Sequence, residues 1–188
     1  MHREDGSVKS LVMANLAHPA LPLGGDAKKL PLHITIVPPF WHDRIATGRI
    51  AHAIGEKLAD IDPFTIVAHE EVMLGVNEQD GVLARKVGAQ TLYTVHDLLM
   101  PVLLDELPNE KDIDIAINTK YANQRYTPHA THTETQRLNK GEMRYIDALY
   151  LFQKTKLSQS RKDKTSPNHP VWYVAAKYPL GKGHETAS

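Results

Sequence analysis

Two stretches decide how this chain reads: Pro31-Leu32-His33-Ile34-Thr35-Ile36 and Thr127-Pro128-His129-Ala130-Thr131-His132. Each sets a His and a Thr two residues apart, close after a proline, at the start of a predicted strand. Alternate residues of a strand point to one side, so His33 and Thr35 share a face, as do His129 and Thr131. If the two halves of the chain pack as related lobes, all four side chains converge on one cleft. The triplet H-x-[ST] is a weak signal alone, and a third copy, His184-Glu185-Thr186, lies in the tail without strand context. What sets the other two apart is the nearby proline, the strand context and the placement of one in each half.

The chemistry of two such pairs is definite. One neutral imidazole takes a proton from water or a hydroxyl, and a protonated one donates to the leaving oxygen across a phosphorus atom. Threonine hydroxyls donate hydrogen bonds to the non-bridging phosphate oxygens as charge builds. That scheme calls for no metal and no cofactor.

Outward from the motifs, Val8–Leu16 reads as a β-rich segment and Leu32–Val37 as a strand closed by Pro38-Pro39. Asp43 or Thr47 can cap a helix running to about Ala59, with Ile50, Ile54 and Leu58 on one face. Phe64–Leu74 and Gly81–Val87 read as two strands joined by a polar turn. Thr91 is placed as the cap of a second helix, with Leu92, Val95 and Leu99 inward and Pro101 expected to kink or restart it. Strands are expected over Tyr126–Thr133, Ala148–Thr155 and Val171–Tyr178. Lys156–Pro170 reads as a long exposed loop and Asn109–Lys120 as a loop with a short strand. Short turns between neighbouring strands favour antiparallel pairing, hence an α+β fold.

Composition bounds the function. The 188 residues carry 22 Lys+Arg against 22 Asp+Glu, no cysteine and 11 histidines. Without cysteine there is no disulfide, no thiolate nucleophile and no Cys-type zinc site. The balanced charge argues against a surface that grips nucleic acid along its whole length. No run is long enough to span a bilayer, and residues 1–5 are not followed by an apolar segment of signal-peptide form. A cytoplasmic monomer is the expectation, with residues 1–180 as one bilobal domain and 181–188 as a flexible tail.

PLHITIVPPF (31–40) and YTPHATHT (126–133), 96 residues apart from His33 to His129, resemble the two signatures of the 2H phosphoesterase superfamily, which includes 2′-5′ RNA ligase-like proteins and cyclic phosphodiesterases. The resemblance implies two pseudo-symmetric lobes of antiparallel β-sheet flanked by helices, with the active cleft between them. It implies hydrolysis of 2′,3′-cyclic phosphate or 2′-5′ phosphodiester bonds in RNA ends or small nucleotides. By it, His33 and His129 are the catalytic pair and Thr35 and Thr131 the phosphate ligands. His132 and Glu134 depart from the family's usual residues after the second motif. That keeps open an RNA- or nucleotide-binding protein with the same cleft and little catalysis.

Other candidates are weighed against plainer roles. Phe40 and Trp41 stack on a nucleobase or pack between lobes. Arg125 and Tyr126 reach phosphate or base, or are merely exposed. The basic loop 154–164 attracts RNA backbone or is simply solvated. His129 and His132 would share a metal only on a helix, and Pro128 with the β-branched threonines favours a strand. His2, His18, His42, His52, His69, His96, His169 and His184 show no partner pattern and read as surface or packing residues.

Overall fold

In a computed structural model of the chain, residues 7–17, 22–27, 29–74, 82–106, 126–133, 135–154 and 172–181 are described. Among them nine strands and two α-helices follow one another: β1 (Ser7–Asn15), β2 (Asp26–Ala27), β3 (His33–Asp43), α1 (Thr47–Leu58), β4 (Phe64–Leu74), β5 (Val82–Gly88), α2 (Gln90–Glu106), β6 (His129–Thr131), β7 (Met143–Ile146), β8 (Ala148–Lys154) and β9 (Trp172–Pro179). All nine strands join one sheet in the order β2-β9-β8-β1-β3-β6-β5-β4-β7, and every pairing is antiparallel. The lobe made of β4 to β7 is thus inserted in the chain between β3 and β8. The two lobes meet where β3 pairs with β6.

One face of the sheet is covered by the helices. Ile34, Ile36, Phe40, Ile66 and Ala130 from the strands meet Ile50, Ile54, Leu92, Val95 and Leu99 from the helices in a single core. The i, i+4 spacing of Ile50, Ile54 and Leu58 buries one stripe of α1, as its periodicity predicts. Arg49 of α1 pairs with Glu106 at the end of α2. A smaller core on the opposite face, including Leu11, Met13, Tyr150, Phe152 and Trp172, covers the β1, β8 and β9 side and packs against Leu30.

Five sequence expectations change in detail. Strand β3 does not close at Pro38-Pro39 but runs on to Asp43, its far half paired with Ser7–Ser10 of β1. Asp43 caps a short 3-10 turn, Arg44–Ala46, by accepting from the Ile45 amide, and α1 begins only after it. The second helix starts at Gln90 rather than after Thr91 and runs unbroken through Pro101. Leu99, Met100, Val102 and Leu103 are buried on both sides of the proline, so packing outweighs the loss of one backbone donor. The strand expected over 126–133 shrinks to His129–Thr131, because Pro128 has no amide hydrogen and Thr133 enters a turn closed on Gln136. Strand β7 was not foreseen: only its even-numbered residues, Arg144 and Ile146, turn inward, and Met143 and Tyr145 are exposed. The loops expected over 109–120 and 156–170 lie outside the described residues.

At the far end of β3, polar groups are buried together. His42 Nδ1–H donates to the Asp43 carbonyl at 2.7 Å, which leaves Nε2 to accept from Ser10 Oγ at 2.8 Å. Gln153 donates to Thr47 Oγ1 at 2.9 Å and accepts from the Tyr173 hydroxyl, so the start of α1 is tied to β8 and β9. Burial, more than the opposing Asp43 carbonyl and charge, lowers the pKa of His42. His33 and His132 are lowered as well, again mainly by burial.

A depressed folded-state pKa means that the unfolded chain binds protons the folded chain refuses. Stability from these histidines is therefore complete above about pH 6.5 and is lost as pH falls below it. The urea midpoint is expected to drop between pH 7.5 and 5, and to drop less in His42→Gln. A midpoint that rises on acidification would contradict this.

Candidate active site

The two H-x-T motifs lie side by side. In the β3–β6 ladder His33 faces Thr131 and Ile34 faces Ala130. The same register carried one residue further sets Thr35 against His129. Because the side-chain period is two, the four polar side chains stand on one face while Ile34 and Ala130 turn to the other. Both of those apolar residues are completely buried in the helix-side core. His33 and His129 are diagonal neighbours across the ladder, a relation that puts Cα atoms roughly 7–8 Å apart.

Each imidazole is held in the same way. His33 Nδ1–H donates to the carbonyl of Pro31 at 2.7 Å, and His129 Nδ1–H donates to that of Thr127 at 2.8 Å. In both the acceptor lies two residues back, although the prolines stand at different offsets. With Nδ1 committed as donor, Nε2 of each neutral ring carries the lone pair and is the nitrogen available for chemistry.

The surroundings are not equivalent. His33 is 9% exposed, and its pKa is lowered chiefly by burial and further by the nearby His129, against the raising effect of the Pro31 carbonyl. His129 is only half-buried.

Tyr126 supports the site from below. Its hydroxyl donates to the Thr35 carbonyl at 3.1 Å. Its ring stacks on His96 with centroids 4.0 Å apart and planes 3° from parallel, and meets Tyr93 edge-on at 5.7 Å. His96 in turn donates from Nδ1 to the Ile36 carbonyl at 2.7 Å. Burial raises the Tyr126 pKa well above the phenol range, so it stays a protonated donor. Helix α2 thereby grips the backbone of β3 just behind Thr35.

The structure brings together His33, Thr35, His129 and Thr131, and it places the other candidates elsewhere. Phe40, expected to stack on a base or to pack, is fully buried in the helix-side core and offers no surface to a ligand. Trp41 lies six residues beyond Thr35, roughly 20 Å along an extended strand, where Lys9 sits 5.9 Å from its ring centroid. Tyr126 is a support beneath the motif. Arg125 and the loop residues 155–164 lie outside the described residues. His132 turns away from His129, toward Glu71 at 3.9 Å, so these two histidines do not share a site.

Sequence reasoning missed three neighbours. Lys86 on β5 is the cross-strand partner of His129 and so stands on the same face. It pairs with Glu70 at 2.8 Å, which holds that carboxyl below its ordinary range. His69 lies over Gly88, where an added Cβ would come within 2.4 Å of its Nε2. Asn15 is the cross-strand partner of His33. Its Oδ1 accepts from the Ala17 amide at 3.0 Å, while its buried Nδ2 has no hydrogen-bond partner among the described residues. No local pattern marks any of these, since only strand register puts them beside the motifs.

Comparison with known proteins agrees with this fold. Among solved structures, TT0787 of Thermus thermophilus superposes with a TM-score of 0.63 at 18% identity, covering 94% of this chain and 99% of that one. E. coli LigT complexed with NADP+ gives 0.57 at 10% identity, covering 93% and 98%. A protein described as a phosphoesterase gives 0.55 at 10% identity, covering 92% and 98%. At these identities the likeness is one of fold. No curated protein sequence matches the chain significantly. The sequence model for the 2′-5′ RNA ligase superfamily matches residues 9–152, a span that contains both motifs and both helices. The chain therefore belongs to the 2′-5′ RNA ligase superfamily.

Proposed function

We propose that this protein is a metal-independent phosphodiesterase that hydrolyses 2′,3′-cyclic phosphate or 2′-5′ phosphodiester bonds in RNA ends or small nucleotides. One observation carries the reading: two H-x-T motifs on paired strands, with all four polar side chains on one face. Membership of the 2′-5′ RNA ligase superfamily supports a phosphodiesterase or ligase-like activity. The structures of E. coli LigT with 3′-AMP and with ATP support a nucleotide as the ligand class.

The environments divide the roles. His33, kept neutral by burial, takes the proton of the attacking water at Nε2. The water oxygen bonds to phosphorus as the bond to the leaving oxygen breaks. His129, protonated and more exposed, donates its Nε2 proton to that oxygen. Thr35 and Thr131 donate hydroxyl hydrogen bonds to the non-bridging oxygens. With a ribose 5′-hydroxyl in place of water, the same two transfers open a 2′,3′-cyclic phosphate to a phosphodiester: His33 takes the hydroxyl proton, and the ribose oxygen that leaves phosphorus takes the proton of His129. Each turnover leaves His33 protonated and His129 neutral, and solvent resets them.

His33→Ala and His129→Ala are each expected to lower kcat with a nucleoside 2′,3′-cyclic phosphate by roughly 10²–10⁴-fold. Circular dichroism is expected to show the fold intact in both variants. Full activity in either would end the assignment, and tight binding without product in the wild type would favour a binding protein.

The kcat/KM profile is expected to be bell-shaped. Its acid limb belongs to His33 and lies below pH 6.5, because burial lowers that group from 6.5. An acid limb that is unmoved in a His33 variant with residual activity would contradict the role division. Activity is also expected to survive dialysis against a chelator.

Tyr126→Phe removes the donor to the Thr35 carbonyl and keeps the stacked ring. It is expected to cost about 1 kcal/mol of stability and to lower kcat while leaving the pH profile in place.

A further inference from the structure

The face that carries the four motif side chains differs on its two sides. Toward β1 and β8 it is roofed: Met13 and Tyr150, in line with Thr35, are 0% and 4% exposed. Toward β5, β4 and β7 it is open. Lys86 stands opposite His129, and Gly88, two residues on, stands opposite Val67. Val67 faces Met143 and Thr65 faces Tyr145, so alternation puts Met143 and Tyr145 on this same face. Both are 67% exposed. Lys86 stands level with His129; the next row along the strands holds Gly88, over which His69 lies, with Val67 and Met143, and the row after it holds Thr65 and Tyr145. Neighbouring strands are about 4.8 Å apart and the strand rises about 3.4 Å per residue, so Tyr145, two strands across and four residues along, has its Cα roughly 17 Å from that of Lys86.

We infer that this open half of the face seats the RNA strand next to the scissile phosphodiester, with Lys86 meeting the adjoining phosphate and Tyr145 stacking on a base further along. The inference rests on the reading that His33 and His129 flank the scissile phosphate, and it deepens that reading by naming a substrate with more than one phosphate. A lysine is a point charge suited to a phosphate in several orientations. An exposed aromatic ring stacks on any base.

Glu70 is the resident competitor. Its 2.8 Å pair with Lys86 joins side chains that are 43% and 58% exposed. An ion pair so open to water is weak and is readily exchanged for a phosphate. The arrangement therefore disfavours a mononucleotide no more than a longer substrate, and gains affinity only from the second phosphate.

Calorimetric titration of an RNA trinucleotide and of a nucleoside 2′-monophosphate into the His33→Ala protein tests this without turnover. Lys86→Met is expected to weaken the trinucleotide about 10-fold, and to lower the magnitude of its salt slope by about 0.7. Tyr145→Ala is expected to weaken the trinucleotide several-fold, Glu70→Gln to tighten it a few-fold, and Lys86→Arg to retain it. The monophosphate is expected to change less than about two-fold throughout. Variants that leave the trinucleotide unaffected, or that shift both ligands equally, would overturn the inference. If the trinucleotide pattern holds while the wild type cleaves no cyclic or 2′-5′ substrate, the inference stands and the proposed hydrolysis fails.

Discussion

The short ladder between β3 and β6 is the constraint on which the rest depends. It joins strands 96 residues apart from His33 to His129, and among the described residues it alone links the two lobes within the sheet. A slip of one residue would turn one motif into the core and its apolar partner onto the cleft face. Ile34 and Ala130, both at 0% exposure, oppose that slip, since each would exchange a buried alkyl group for an imidazole or a hydroxyl. A strand of three residues does not hold its register unaided. The β5 side secures it: Ala84 faces Thr131, the His132 amide donates to the Leu83 carbonyl, and the Val87 amide donates to that of Pro128.

Symmetric motifs in unequal surroundings are what separate the two histidines. Both rings use Nδ1 in the same hydrogen bond, so the local chain gives no reason to assign one as base. The difference comes from what lies across the sheet. Beside His33, β1 contributes Asn15 and Met13 and the small second core; beside His129, β5 contributes Lys86 and open solvent. Burial penalises a charged imidazole at His33. Environment rather than motif assigns acid and base, which is why the sequence left the choice open.

Most of the elements, the alternation within each motif and the family were legible in the sequence, because each rests on local pattern. His-x-Thr in a strand states that both side chains share a face, and Ile50, Ile54 and Leu58 state which stripe of α1 is buried. Residues whose role depends on register were not legible. Lys86 belongs to the Arg85-Lys86 pair of an unremarkable strand, and only its alignment with His129 distinguishes it from Arg85, which turns to the other face and holds Glu71 at 2.7 Å. Of the two roles read for Phe40 and Trp41, packing is the one that the fold gives Phe40. An extended strand carries residues away from a site as fast as the geometry allows, and alternation sends the nearer of the two into the core. Tyr126 was marked for the right neighbourhood but lies beneath the sheet, stacked on a histidine from α2 that no spacing rule connects to it.

The central claim is that the paired strands present His33 and His129 to one phosphate. The most direct measurement is a nitrogen-15 NMR titration of the imidazole rings with a nucleoside 2′-monophosphate at neutral pH. The account predicts that Nε2 of both rings shifts along a single binding curve at one equivalent, while Nδ1 of each stays a protonated donor to its backbone carbonyl. A shift confined to one ring, or two curves with different affinities, would contradict it.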